Sequence, residues 1–169
     1  QARERIAGID RVTLVEHNMD DPLPDLGSFD CVVSSFAIHH CTHARKRKLY
    51  SEVFSLLEPE GVFCNLEHVS SPTQRIHDRF VAAMGMNPED EDPSNKLLDV
   101  ETQLRWLEQS NVQEAIPCWL KIDTGMHRLG IAPEQAIEFH DRLTRCASAA
   151  ADTVLMTHLA SGDNLDSSQ

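Results

Sequence analysis

Short apolar runs that alternate with amphipathic stretches predict an α/β fold for the first part of the chain. Strands are predicted at residues 11–17, 29–36 and 61–69, with a helix that begins at Thr42 and stops at residues 59–61. Residues 29–36 are almost continuously apolar, which is typical of a parallel strand covered on both faces. This order of strands and helix is the one that gives a parallel sheet with right-handed crossovers. We therefore expect a partial, Rossmann-like open parallel sheet.

The remaining pattern predicts two further helices and then a strand, a helix and a strand. Helices are expected at residues 71–86 and after a cap at Asp99, the second with one face formed by Val100, Leu104 and Leu107. Residues 116–122 and 153–157 are strand-like. The helix between them is expected to start at Pro133, to end near Cys146 and to bury Ile137 and Leu143. The polar residues after His158 are predicted to be frayed.

Length and charge limit the classes of function. A chain of 169 residues suits one domain with a real core, and its net charge of -12 argues against nucleic acid as the main partner. The sequence has no apolar run of the roughly 20 residues that a membrane helix needs and no secretory signal pattern at its start. We expect a soluble, cytoplasmic protein. The opening residues resemble the tail of a helix, so we also expect a longer protein upstream.

The cysteines and the charged clusters suggest little chemistry by themselves. Five scattered cysteines without a CxxC pair favour reduced thiols over disulfides or a metal site, and those in strand-like runs are expected to be buried, namely Cys31, Cys64 and Cys118. The basic cluster at residues 45–48 falls in the first turn of a helix and is interpreted as a solvated face. The acidic loop at residues 87–96 lacks the ligand spacing of a calcium loop, so a flexible lid or a solvated loop is favoured over a cation site.

Polar residues at the carboxyl ends of the predicted strands are the first candidates for a binding site, because ligands of open α/β sheets lie there. Asn18 and Met19 follow the first strand, and Ser34 and Ser35 end the second. The segments HNMDDPLP, FDCVVSSFAIHH, LLEPEGVFCNLEH and RWLEQSNV, in this order, resemble class I S-adenosylmethionine-dependent methyltransferases. The resemblance covers about residues 2–113.

This resemblance implies a role for each candidate. It implies that the Asn18 side chain and the Met19 amide lie near adenine, and that Ser34 and Ser35 lie beside the methionine end of S-adenosylmethionine. Residues 37–40 would begin the side that receives a small-molecule substrate. Methyl transfer needs alignment and, for a protic nucleophile, a general base, for which His39 or His40 is the candidate; a packed or surface histidine is the alternative.

The family's glycine-rich turn has no counterpart in this chain, because no GxGxG occurs in it. The acidic residue that holds the ribose hydroxyls in the family would also lie upstream. We therefore hypothesise that this chain does not bind S-adenosylmethionine with useful affinity.

The run WLKIDTGMHRLGIAPEQ, followed by VLMTHLASGD, resembles alanine racemase, a pyridoxal 5′-phosphate enzyme with a (β/α)8 barrel. The resemblance covers about residues 117–163 and implies a βαβ fragment of that barrel. By position, Arg128 would lie near the phenolic oxygen of the cofactor, His158 would support its ring, and Lys121 would orient Arg128. In this family a Schiff-base lysine and a tyrosine of a partner subunit exchange the proton. Neither has a counterpart here, so no internal aldimine is predicted.

The two resemblances meet between residues 113 and 117, which predicts a methyltransferase-like part at residues 1–115 and a racemase-like part at residues 116–169. Three interpretations follow: a chimera without the full activity of either family, a methyltransferase whose sheet gains residues 116–122 as an extra strand, or a racemase fragment with an appendage. Exposed sheet edges make self-association an expectation.

Overall fold

The computed structural model describes residues 2–6, 8–83, 85–87, 89, 91–110, 115–125 and 130–158. This part of the chain is a mixed α/β structure with two short parallel sheets and helices packed against them. The elements in chain order are α1 (Ala2–Arg5), β1 (Phe29–Ser35), α2 (His43–Ser55), β2 (Leu57–Leu66), α3 (Gln74–Ala83), α4 (Val100–Ser110), β3 (Ile116–Ile122), α5 (Ala136–Arg145) and β4 (Ala149–Thr157). Single 3-10 turns precede α2 at Ile38–His40 and α5 at Pro133–Gln135.

The first sheet is a parallel pair of β1 and β2 joined through α2. Both strands agree with the predictions, although β2 begins at Leu57 and includes the predicted turn. Phe29 pairs with Leu57 and Cys31 already pairs with Val62, so the ladder is interrupted around Gly61. A Cβ at Gly61 would lie 2.8 Å from the carbonyl oxygen of Glu58, which explains why glycine occupies this interruption.

The prediction of a strand at residues 11–17 is wrong. These residues have no regular structure and are exposed. A strand is stabilised by hydrogen bonds to a neighbour and by burial of one face, and β1 pairs only with β2 in the described sheet. The β-branched pattern alone therefore did not suffice to form a strand.

The core of the first part forms where α2 packs on the covered face of the sheet. Thr42 caps the helix by accepting from the N–H of Arg45, and Leu49, Tyr50 and Val53 are buried. The interpretation of residues 45–48 as a solvated face is wrong for half of the cluster, because Arg45 and Lys46 are buried as well. Their charged ends reach backbone carbonyls that the sequence pattern does not reveal.

The second sheet is a parallel pair of β3 and β4, with α5 between them in sequence. Both strands and the turn that begins at Pro133 agree with the predictions. Leu143 is buried as expected, but Ile137 is 76% exposed and Phe139 is buried in its place. Phe139 and Leu143 are four residues apart and share a helix face, whereas Ile137 lies about 200° around the axis from Phe139.

Helix α4 contributes to both buried clusters of the described structure. Asp99 caps it by accepting from the N–H of Thr102, as predicted. Leu107 belongs to the buried cluster around α2, and Leu104 belongs to the cluster around α5. Since β3 pairs with β4 and β1 with β2, the predicted addition of residues 116–122 to the first sheet is wrong in the described part of the chain.

Each two-stranded sheet leaves one apolar face exposed. Val33 is 71% exposed on the first sheet and Trp119 is 63% exposed on the second. Cys31 and Cys64 also lie exposed on the first sheet, so the prediction that these thiols are buried is wrong, while Cys118 is half-buried. All five cysteines are free thiols. None of the described helices has the length and apolar character required to cross a membrane.

Candidate functional site

A buried pair of His39 and Glu67 lies at the carboxyl ends of β1 and β2. His39 is in the 3-10 turn after β1, and Glu67 directly follows β2. The Nδ1 atom of His39 lies 2.5 Å from Oε1 of Glu67, and Oε2 accepts the backbone N–H of His39 at 2.8 Å. The side chains are only 7% and 5% exposed. With Nδ1 donating to the carboxylate, Nε2 is the ring atom that can accept a proton.

Aromatic rings surround this pair. The ring centroid of His39 lies 4.0 Å from that of His40 and 5.3 Å from that of His68, and Phe36 packs edge-on against His68 at 5.0 Å. Partial burial lowers the pKa of His68, and the neighbouring His39 lowers it further, whereas Glu67 acts in the opposite direction. The cluster therefore favours a neutral imidazole at His68 although its side chain retains contact with solvent.

The exposed ring of His40 is held by the acidic loop. The hydroxyl of Ser94 lies 2.9 Å from Nδ1 of His40 and donates to Oδ1 of Asp92 at 2.7 Å. The bond from this hydroxyl, and that from the backbone N–H of Ser94 to the same oxygen at 2.8 Å, lower the pKa of Asp92. The described part of the loop thus contacts the ring of His40 through Ser94. No three side chains of metal-binding type converge within the described residues.

The residues that the methyltransferase resemblance assigns to S-adenosylmethionine are divided between solvent and core. Asn18 is exposed and bonds locally to the N–H of Asp20 and to the carboxylate of Asp21. Met19 packs against the first core and its carbonyl accepts from Nε of Arg45 at 2.7 Å. Ser34 has a buried hydroxyl without a hydrogen-bond partner in the described structure, and Ser35 is exposed. These groups fit the adenine and methionine ends of the cofactor only in part.

The residues assigned to pyridoxal phosphate lie at the carboxyl end of the second sheet. Lys121 is half-buried in β3, and the exposed His158 directly follows β4. Because Ile122 pairs with Thr157, both side chains lie near the same end of the sheet. Arg128 lies outside the described residues. A Cβ at Gly130 would come within 2.7 Å of the N atom of Asp123, so the loop after β3 requires glycine there.

The fit to pyridoxal phosphate is incomplete. The single tyrosine of the chain, Tyr50, is 0% exposed, and its hydroxyl donates to Oε1 of Gln103 at 2.8 Å. Burial raises the pKa of Tyr50 strongly. A phenol in this position cannot reach a bound amino acid or exchange a proton with it. The residues present do not fit a complete site for this cofactor.

Comparisons with known proteins find both families. Residues 1–61 match the sequence model of a methyltransferase domain, and residues 94–169 match that of the alanine racemase N-terminal domain. The alanine racemase of Shewanella oneidensis is 46% identical over 66 residues, that of Vibrio parahaemolyticus 48% over 68 residues, and the biosynthetic alanine racemase of Escherichia coli 44% over 63 residues. These alignments cover 39%, 40% and 37% of this chain. They cover only 18%, 19% and 18% of the relatives.

The two resemblances predicted from the sequence are thus confirmed. The methyltransferase match ends at residue 61, earlier than the predicted residue 113, and the racemase match begins at residue 94, earlier than the predicted residue 117. In the structure, residues of α4 bond to α2, for example Gln103 to Tyr50, and also to α5, for example Glu101 to Arg142. The helix therefore contacts both parts of the molecule.

Sequence reasoning missed Glu67 as a member of the site. It lies in the run NLEHV near the carboxyl end of the strand predicted at residues 61–69, and this was a usable signal, since site residues of open sheets occur at that end. The contact with His39 spans 28 residues of sequence, and only the parallel pairing of β1 with β2 brings the two together.

Proposed function

We propose that this chain joins the acceptor side of an S-adenosylmethionine-dependent methyltransferase site to a barrel fragment of alanine racemase type, and that the chain by itself has the full activity of neither. The observation that carries the first half is the buried pair of His39 and Glu67 at the carboxyl ends of two parallel strands. The parallel β1-α2-β2 unit supports a partial Rossmann-like sheet in this half.

In the methyltransferase-like half, His39 is the proposed general base. Bound S-adenosylmethionine supplies an electrophilic methyl group. The Nε2 atom of His39 would take the proton of an O–H, N–H or S–H nucleophile on a small molecule, while Glu67 holds the ring through Nδ1. The rings of Phe36 and His68 pack beside this position.

In the racemase-like half, the parallel β3-α5-β4 unit supports a fragment of a (β/α)8 barrel, with Lys121 and His158 at the end where such barrels bind ligands. Racemisation needs a proton donor and an acceptor on opposite faces of the substrate carbon. Tyr50 is sealed in the other core, so this chain lacks a free phenol for that task. We place the boundary between the two parts at residues 115 and 116.

Calorimetric titration of the purified chain with S-adenosylmethionine tests the first half. Because the groups present fit the cofactor in part, we expect no binding in the micromolar range. Binding at micromolar concentration that is lost on changing Asn18 to Ala would contradict the proposal and would favour a working methyltransferase. Asn87→Ala provides the matched control, since Asn87 is also exposed.

Reconstitution with pyridoxal phosphate tests the second half. We expect no absorption band of an internal aldimine after removal of free cofactor. A band that disappears in Lys121→Met but persists in Lys48→Met would overturn this part, since it would make Lys121 a Schiff-base lysine. The two halves are tested separately, so one can fail without the other.

The alternative that this is a methyltransferase is favoured by one observation, namely that the His39 and Glu67 pair is already formed. Sequencing the coding DNA upstream of residue 1 distinguishes the interpretations. A glycine-rich strand turn directly upstream would favour the methyltransferase, whereas a segment like AxxKANAYGHG would favour the racemase.

A further inference from the structure

The ammonium group of Lys46 is enclosed by backbone carbonyls. Lys46 is 1% exposed, and its Nζ atom donates to the carbonyl oxygens of Cys41 and Lys96 at 2.7 Å each and of His39 at 3.0 Å. An ammonium group has three N–H donors, so these three bonds use its full capacity. The geometry leaves no donor for a ligand, which distinguishes this lysine from a substrate-binding one.

Burying a charged amine is unfavourable unless its hydrogen bonds are replaced. Burial lowers the pKa of Lys46 from its ordinary value, and Cys41 and Glu67 oppose that change. An apolar side chain of similar length would fill the same space without this penalty, but it would remove a donor from all three carbonyls, of which that of His39 also accepts the backbone N–H of Lys96. The contribution of Lys46 to the structure is therefore its three hydrogen bonds to carbonyl oxygens and not only the space that its side chain fills.

The three carbonyls belong to two segments that are distant in sequence. His39 and Cys41 lie in the turn after β1, and Lys96 lies in the segment between α3 and α4. The same two segments are also joined by the N–H of Lys96, which donates to the carbonyl of His39 at 2.9 Å, and by its Nζ atom, which donates to the carbonyl of His40 at 2.9 Å. Ser94 then contacts the ring of His40.

We propose that Lys46 is a positioning residue that holds residues 92–98 against the His39 and His40 turn and thereby fixes the hydrogen bond of Ser94 to the His40 ring. The role is independent of the proposed methyltransferase activity, because it concerns only contacts within this chain. Lys46 does not contact the His40 ring itself, and it acts on that ring through the backbone carbonyls of His39, Cys41 and Lys96.

Hydrogen exchange and histidine NMR on the full chain test the proposal. In Lys46→Met, protection of the Lys96 N–H is expected to fall roughly tenfold or more, because a charged donor at the shared carbonyl is lost. The ring nitrogen signals of His40 are expected to move to those of a free ring at unchanged pH, while those of His17 stay. Lys48→Met, on the same helix but exposed, makes the same charge change and is expected to alter neither signal.

Unchanged Lys96 protection and unchanged His40 signals in folded Lys46→Met would overturn the proposal. Lower Lys96 protection with an unchanged His40 signal would reduce Lys46 to a purely structural role and would also overturn it. Should Lys46→Met not fold, the wild-type chain decides: a slowly exchanging Lys46 ammonium with a scalar coupling to the carbonyl of Lys96 supports the proposal, and a rapidly exchanging one contradicts it.

Discussion

Glu67 holds His39 at two points, since one carboxylate oxygen accepts from the ring and the other from the backbone N–H of the same residue. The carboxylate also accepts the N–H of His68 through Oε1 at 2.9 Å. The Glu67 side chain therefore fixes the position of the His39 ring and holds the ring proton at Nδ1. It ties the end of β2 to the turn after β1, which is where the proposed acceptor would bind.

Replacing Glu67 by Gln is expected to lower the free energy of unfolding by roughly 1–3 kcal/mol, because a buried charged acceptor of three N–H groups becomes a neutral amide. Urea denaturation monitored by circular dichroism measures the change. Glu16→Gln is the matched control, since the Glu16 side chain is 92% exposed in its pair with Arg3. Equal stability of the two variants would show that the buried pair contributes nothing.

The stability of the chain should depend on pH through His68. Its pKa is lowered in the folded state from the ordinary value of 6.5, so below pH 6.5 the unfolded chain takes up a proton that the folded chain resists. The contribution of this group is present in full above pH 6.5 and is lost as pH falls from there towards the folded pKa. His68→Gln is expected to flatten this part of the stability curve in urea titrations, and an unchanged curve in this variant would contradict the prediction.

Arg45 should be more important for stability than its place in a basic cluster suggests. It donates to the carbonyls of Met19 and Asp21 and to both carboxylate oxygens of Glu52. Arg45→Met is expected to lower the free energy of unfolding by about 3 kcal/mol, since it takes the guanidinium away from a partly buried carboxylate that keeps the N–H of Leu23 as a donor. Thermal denaturation of this variant beside Arg47→Met, which removes an exposed arginine from the same helix, measures the difference.

The ion pair of Arg45 and Glu52 predicts that the stability of the chain falls in acid. The hydrogen bond from Arg45 is the main cause that lowers the pKa of Glu52 below its ordinary value of 4.5. This stabilisation is present above pH 4.5 and is lost as pH falls through the folded pKa. In Arg45→Met that part of the acid transition should be smaller, because the carboxylate loses the bonds from Arg45 but keeps that from the N–H of Leu23. An unchanged acid transition would contradict the assigned cause.

Self-association through the exposed sheets remains a prediction. Val33 lies 71% exposed on the open face of the first sheet, and Ile137 is 76% exposed on α5, away from both sheets. Val33→Lys is expected to reduce concentration-dependent association in light scattering, because it places a charge on the apolar face. Ile137→Lys removes as much exposed apolar surface and should have no such effect. Equal scattering by both variants would exclude the sheet face.

The sequence pattern was sufficient for several features that depend on local chemistry. The apolar run of β1, the Asp99 cap and the proline turn before α5 were all predictable, because the residues that decide them are adjacent in sequence. Residues 11–17 were not, since their strand-like composition needed a neighbouring strand that the described sheet does not supply. The β-propensity of a segment does not determine its structure when tertiary contacts do not support a strand.

The site was predictable in part for a similar reason. His39 and His40 follow a recognisable strand, but the partner of each ring lies far away in sequence, at Glu67 and Ser94. The burial of Lys46 depends on a carbonyl 50 residues away. No local pattern encodes these pairings, because they arise from the parallel strand order and from the path of the loop between α3 and α4.

Helix α4 has a consequence for how the molecule comes apart. Leu104 and Leu107 are one turn apart on the same helix, yet each completes a different buried cluster. Loss of either cluster would remove one wall of the other, and Gln103 would carry the loss to Tyr50. The described part of the chain is thus expected to behave as one cooperative unit and to melt in a single transition despite its two separate sheets.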